Sequence, residues 1–204
     1  MLSDLTNLPR TIVPETFFEK VMELVADIPA PPEAAEDRAL VRLEGAGGGS
    51  WHVGFVGGRA QIKPGEIPDP TVQVSLSVID WREFVVGRVR DVVTPGMDTN
   101  LLDPRLVVRI FDDREAVEAV RSFQGTIQLT VRDTEEDGDY VLFVTLGPQA
   151  ETRDAPATTV EIALQDLAKL VRRESTPQAA FFAGQIRIDG DMNLAMALMT
   201  LTSS

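Results

Sequence analysis

A chain of 204 residues, 44% hydrophobic and 25% charged, has ordinary globular composition and enough length for one large core or two small ones. Its formal charge of −13 and the lack of any clustered Lys/Arg run argue against nucleic acid as a partner and leave at most transient membrane contact, since phosphate contacts need concentrated positive charge. The absence of cysteine excludes disulfides, thiolate metal ligation and cysteine nucleophiles.

The opening stretch Met1 to Pro9 has neither a basic nor a continuous apolar segment, and no later apolar run reaches the length of a membrane span, so a soluble, cytoplasmic protein is expected. Phe17, Val21, Leu24 and Ile28 recur at i, i+4, i+7 and i+11, which predicts an amphipathic helix over Pro14 to Ile28, ended by Pro29, Pro31 and Pro32. Three strand-like runs follow: Ala39 to Glu44, Trp51 to Val56, and Thr71 to Leu76, where Val72, Val74 and Leu76 alternate with polar residues. Gly45 to Ser50 reads as the hairpin loop between the first two. It lacks both the Lys-Ser/Thr ending and the following helix of a phosphate-binding loop. Asp80 is a candidate cap for a short helix carrying Trp81, Phe84 and Val85 and ending near Gly87.

The order helix, three strands, helix then recurs. Asp112 to Phe123 reads as a helix, Thr126 to Val131 and Tyr140 to Leu146 as paired strands, Val160 to Leu164 as a third strand, and Gln165 to Arg173 as a helix. Val72 to Leu76 aligns with Val160 to Leu164, Trp51 with Tyr140, and Val108 to Asp113 with Ile186 to Asp191. This self-similarity implies two related units, residues 1–124 and 125–204, with an insertion in the first around Arg88 to Asn100 that contains Thr94-Pro95-Gly96 turn chemistry.

The last helix carries two apolar stripes at i, i+4, i+7: Met192, Met196 and Met199 on one, Leu194, Leu198 and Leu201 on the other. In the aligned first copy the Leu stripe becomes Ala116, Val120 and Phe123, still apolar, while the Met stripe becomes Arg114, Glu118 and Arg121. The Leu side is therefore the shared core face. The Met side is surplus, and methionine suits surfaces that adapt to varied apolar shapes. It lines a cavity, or it buries a contact between the repeats or between two copies of the chain.

The stretch Ala180-Phe-Phe-Ala-Gly-Gln-Ile-Arg-Ile-Asp-Gly-Asp191, followed by the Met- and Leu-rich segment Met192 to Leu201, resembles the closing signature of the sterol carrier protein 2 family. Pro68 to Asp80, with Phe84 and Gly87, is similar to that family's third strand and following helix. The chain departs from the pattern where the first copy has Asp103-Pro104 in place of Phe-Phe, where Arg173 replaces the helix-ending Gly, and in being a tandem pair. The resemblance implies an α+β fold: two sterol-carrier-like halves, each a small, mostly antiparallel sheet with helices on one face, forming a pseudo-dimer. It also implies non-catalytic binding or carriage of an apolar lipid, such as a fatty acid, acyl-coenzyme A, or a sterol-like or isoprenoid molecule. The cavity expected in the C-terminal half is walled by Phe181, Phe182, Met192, Met196 and Met199, with Leu167, Leu170 and Val171 from the preceding helix. The alternative is a cavity-less interaction module whose Met-rich face meets a second copy or a protein partner.

Catalytic signals are weak. His52, the one histidine, lies beside Trp51 in a predicted strand with no serine elbow nearby, which leaves a solvent-facing strand residue. Asp189 to Asn193 begins like a calcium loop but has Leu194 where glycine is needed and Thr200 where glutamate is needed, so Asp189 or Asp191 is read as a cap of the last helix. Thr134 to Asp139 clusters carboxylates around an Asp-Gly turn. No enzyme activity, metal or cofactor is expected.

Overall fold

The computed structural model of the chain describes residues 8–25, 28–31, 37–94, 111 and 114–203. Period-two alternation gives strands β1 (Ala39–Glu44), β2 (Gly49–Val56), β3 (Arg59–Pro64), β4 (Val72–Ser77), β5 (Gly125–Asp133), β6 (Gly138–Leu146), β7 (Thr158–Ala163) and β8 (Ile186–Gly190). The helices are α1 (Pro14–Val25), α2 (Val78–Val85), α3 (Arg88–Val93), α4 (Arg114–Ser122), α5 (Leu164–Val171), α6 (Pro177–Phe182) and α7 (Met192–Ser203). The fold is α+β. All eight strands form one sheet in the order β3-β2-β1-β4-β6-β5-β7-β8.

Where a small sheet in each half was expected, one sheet runs through all the described strands, with β4 antiparallel to β6 from Val72↔Leu146 to Leu76↔Leu142. Pairing satisfies the backbone groups that two free edges would expose. The same pattern of pairing occurs twice: β1 is antiparallel to β2 and parallel to β4, and β5 is antiparallel to β6 and parallel to β7. Val41 faces Trp51 and lies beside Val74, whereas Val131 faces Tyr140 and lies beside Ile162. These pairs coincide under the alignment that sets Trp51 on Tyr140 and Val72 on Val160. Pro95 to Ile110, with its expected turn, the Asp103-Pro104 departure and the start of the Val108 to Asp113 match, lies outside the described residues.

Three local readings need correction. Strand β3 was not expected, because Ala60 and Ile62 are the only apolar residues it offers; the overlooked signal is Gly57-Gly58, whose φ of 60° and 75° make the two-residue turn that suits a tight hairpin. The cap of α2 is Ser77 rather than Asp80: the Ser77 hydroxyl accepts the Asp80 N–H at 2.9 Å and donates to the Asp80 carboxylate at 2.7 Å, a reciprocal cap. Arg88 to Val93, the start of the stretch read as an insertion with no element assigned to it, is helix α3, with Val89 and Val93 fully buried.

Register sorts the side chains into two faces. One carries unbroken apolar rows, Trp51-Val41-Val74-Val144-Ile127 and Leu43-Leu76-Leu142-Leu129-Val160-Ile188. The helices pack on this face. Phe18 of α1 stacks on Trp51 with ring centroids 4.2 Å apart, and Phe17 meets Trp81 edge-on at 5.5 Å. Each such side chain contributes about 1.5–3 kcal/mol by burial. Phe84 of α2 crosses between the halves to Tyr140 of β6 at 6.5 Å. Leu194 of α7 sits where a side chain on Gly125 would project, 2.5 Å from an added Cβ. The opposite face carries the polar and charged groups, interspersed with Leu40 and Phe143: Ser75 donates to Glu151 at 2.6 Å, Arg42 pairs with Glu66 at 2.7 Å, and Arg153 lies over the Phe143 ring at 4.9 Å.

Candidate functional site

The C-terminal segment is shaped by its caps. Helix α6 opens with Pro177 at its first turn and the Thr176 hydroxyl accepting the Ala179 N–H at 3.1 Å. It closes with Gly184 at φ 72°, its N–H bonded to Phe181 O and the Gln185 N–H to Ala180 O, both at 2.9 Å. Phe181 and Phe182 therefore end a short helix ahead of the strand, with their rings edge to face at 5.7 Å. Phe181 is half-buried and Phe182 is 87% exposed.

Strand β8 ends at Gly190, whose φ is 103° and whose missing Cβ would lie 2.3 Å from the Ala157 carbonyl oxygen. No other residue fits that approach. The turn aims Asp191 at α7, where its carboxylate accepts the N–H groups of Asn193 at 2.9 Å and Leu194 at 3.4 Å. Of the two expected caps, Asp191 is the one used.

Helix α7 buries Leu194, Ala195, Ala197 and Met199 and half-buries Leu198; the Leu201 side chain lies outside those described. The Met stripe divides: Met199 is buried with the core, while Met192 and Met196 are each 42% exposed. On the aligned helix α4, Val117 and Val120 are buried, and the Ala116 side chain is outside the description. There Arg114 and Arg121 bind the fully buried carboxylate of Asp37, Arg121 at 2.7 Å. The two helices of matching position pack against each other.

Leu167, Leu170 and Val171 of α5 are half-buried and pack against the core, as do Phe181, Ile188 and Leu198. In the central apolar row, Leu142 and Leu129 are neighbours and only half-buried, although Leu76 and Val160 on either side of them are buried. Ile127 and Val131, on the same strand two residues away from Leu129, are fully buried too. Apolar side chains at the centre of a covered face thus keep accessible surface. The Thr126-Ile-Gln-Leu-Thr-Val131 alternation marks Leu129 as inward, but the alternation carries no sign of incomplete cover.

Tyr140, at the edge of this region, has its phenol pushed above the ordinary range, chiefly by burial and then by the Glu83 carboxylate. Asp133 is held below the usual carboxylate range by its hydrogen bond to Arg88. Neither forms an acid-base pair across the apolar residues. Among the described residues no group of three or more His, Asp or Glu side chains could hold a metal ion, and no helix is long and apolar enough to cross a membrane. What such a region can do is take up apolar surface, at roughly 25 cal/mol per Å² removed from water before ordering costs.

The family model described as the SCP-2 sterol transfer family matches residues 106–203. Similar solved structures include sterol carrier protein 2 like 2 from Aedes aegypti (22% identity, 48% of this chain and 96% of that chain, TM-score 0.31). The sterol carrier protein domain 2 of Helicoverpa armigera shares 26% identity over 50% of this chain and 85% of that chain, with a TM-score of 0.36. Sterol carrier protein 2 from Yarrowia lipolytica, in its apo form, shares 14% over 59% and 91%, also at 0.36. No curated protein matches the chain.

Proposed function

From the premise that residues 106–203 are an SCP-2-like domain of the sterol transfer family, we propose that the C-terminal half binds or carries an apolar lipid without catalysis. A fatty acid, acyl-coenzyme A, or a sterol-like or isoprenoid molecule would be held between the apolar sheet face and helices α5 to α7. The observation that carries this reading is the half-buried Leu129-Leu142 pair, flanked in its row by the buried Leu76 and Val160. Leu167, Leu170 and Val171 would wall it from α5, Phe181 and Phe182 from α6, and Met192, Met196 and Met199 from α7. On this reading residues 1–124 are a diverged first copy whose Arg114 and Arg121, engaged with Asp37, replace two of the three stripe methionines, so that the second copy holds the ligand.

Displacement of a fluorescent fatty acid tests it. Met196→Arg should abolish binding and leave the far-ultraviolet dichroism unchanged; retained binding would refute the lining role. A second reading has its own support in the exposure of Phe182 and Met192: an interaction face for another copy or a protein partner. Loss of self-association in Phe182→Ser, with no lipid binding in the parent, would favour it.

A further inference from the structure

We infer that the polar face of the sheet, on the side away from the proposed lipid site, carries a binding site for a small phosphate-type anion centred on Gly54. The hollow has a volume of about 220 Å³ and is lined by Arg38, His52, Gly54, Gln61, Lys63 and Ile67, among others. It is smaller than the ~300–1,000 Å³ of drug-sized ligand sites and suits a compact headgroup rather than a lipid body.

The register explains the hollow. His52 lies directly across from Lys63, and Gly54 from Gln61, so the four share one face of the β2-β3 hairpin. Gly54 has no side chain where its neighbours have long ones, and glycine inside a strand marks either weak packing or a close approach by something else. Among the described residues, a Cβ on Gly54 would meet only the Arg38 side chain, at an ordinary 3.6 Å.

The charge around the hollow is opposite to that of the whole chain. In a protein of net charge −13, the hollow is rimmed by a guanidinium and an ammonium, with the His52 imidazole beside them. Among the described residues neither Arg38 nor Lys63 has an acidic partner, while the nearby Glu66 is neutralised by Arg42 at 2.7 Å. His52 Nδ1 bonds the Gly65 carbonyl at 3.1 Å, which assigns the proton to Nδ1 and leaves Nε2 as the ring's other polar atom. Two cations of fixed origin around a concave floor favour a phosphate oxyanion, and Ile67 offers apolar contact to a short carbon substituent.

The test is a ¹H–¹⁵N titration of the full chain with inorganic phosphate and glycerol phosphate, at ionic strength matched with chloride. The expected result is saturable shifts confined to Gly54, His52, Gln61 and Lys63, with affinity lowered about tenfold or more in Arg38→Glu and in Lys63→Glu. Gly54→Val, a strand-favouring change, should fill the hollow and remove the shifts while the melting temperature is kept. Co-sedimentation with phosphatidic acid vesicles assigns the anion to a lipid headgroup; phosphate shifts without sedimentation assign it to a free phosphate ester. Absence of saturable shifts, or shifts that persist in Gly54→Val, would overturn the inference.

Discussion

Arg88, at the start of α3 in the first half of the chain, donates to Asp133 at the end of β5 in the second at 2.8 Å, and the Asp133 side chain is 2% exposed. Asp133 also accepts the Glu135 N–H at 3.0 Å. The guanidinium holds the carboxyl below its ordinary 3.8, and the carboxyl in turn raises Arg88.

This pair fixes the sign of a pH effect. A carboxyl whose folded pKa is depressed contributes stability that is present above its unfolded value and lost as pH falls through the folded one. Asp133→Asn should therefore be less urea-resistant than wild type at neutral pH, and the difference should shrink as pH falls below 3.8. A difference that does not change with pH would refute the ionic account.

Gly190→Ala should be the costliest single-methyl change in the C-terminal half. The added Cβ meets backbone at 2.3 Å, and φ is 103°. Strain of this kind costs on the order of 1–3 kcal/mol, and the clash adds to it. Urea unfolding would register the loss.

Arg173→Gly should stabilise. Arg173 has φ 59°, and the Glu174 N–H reaches Lys169 O at 2.8 Å while its own N–H reaches Leu170 O at 3.0 Å, the helix ending that glycine usually completes. Relief of left-handed strain is worth about 1–2 kcal/mol, partly offset by glycine's larger chain entropy, leaving a net gain of about 0.5–1 kcal/mol in thermal or urea unfolding. A loss would show that the side chain is needed where it is.

Asp37 offers an asymmetric test. Its carboxylate is fully buried, while Arg114 and Arg121 are part exposed. Replacing both arginines with Met strands a buried charge and should cost about 3–5 kcal/mol. Asp37→Asn lets both arginines turn to water and should cost less.

Much of the fold was readable because alternation is a local property. Val72-Gln-Val-Ser-Leu76 states its own inward face, and matching it to Val160-Glu-Ile-Ala-Leu164 anticipated equivalent places in the pairing pattern. The joining of β4 to β6 was not readable, since edge pairing is decided by three-dimensional approach. Strand β3 was missed because an edge strand with Ala60 and Ile62 as its inward residues has little apolar signal. At the site, the spacing of Met192, Met196 and Met199 showed a stripe, but the roll of α7 on the sheet decides burial, and it covers Met199 while leaving Met192 and Met196 part exposed. Leu129 and Leu142 were legible as core; that they stay half-buried depends on how helices from distant parts of the chain roof them.

Mass spectrometry of the organic extract of protein purified without denaturant tests the central claim most directly. A stoichiometric apolar lipid, lost in Met196→Arg, is the predicted result. An empty wild-type protein that also fails to displace a fluorescent fatty acid would contradict it.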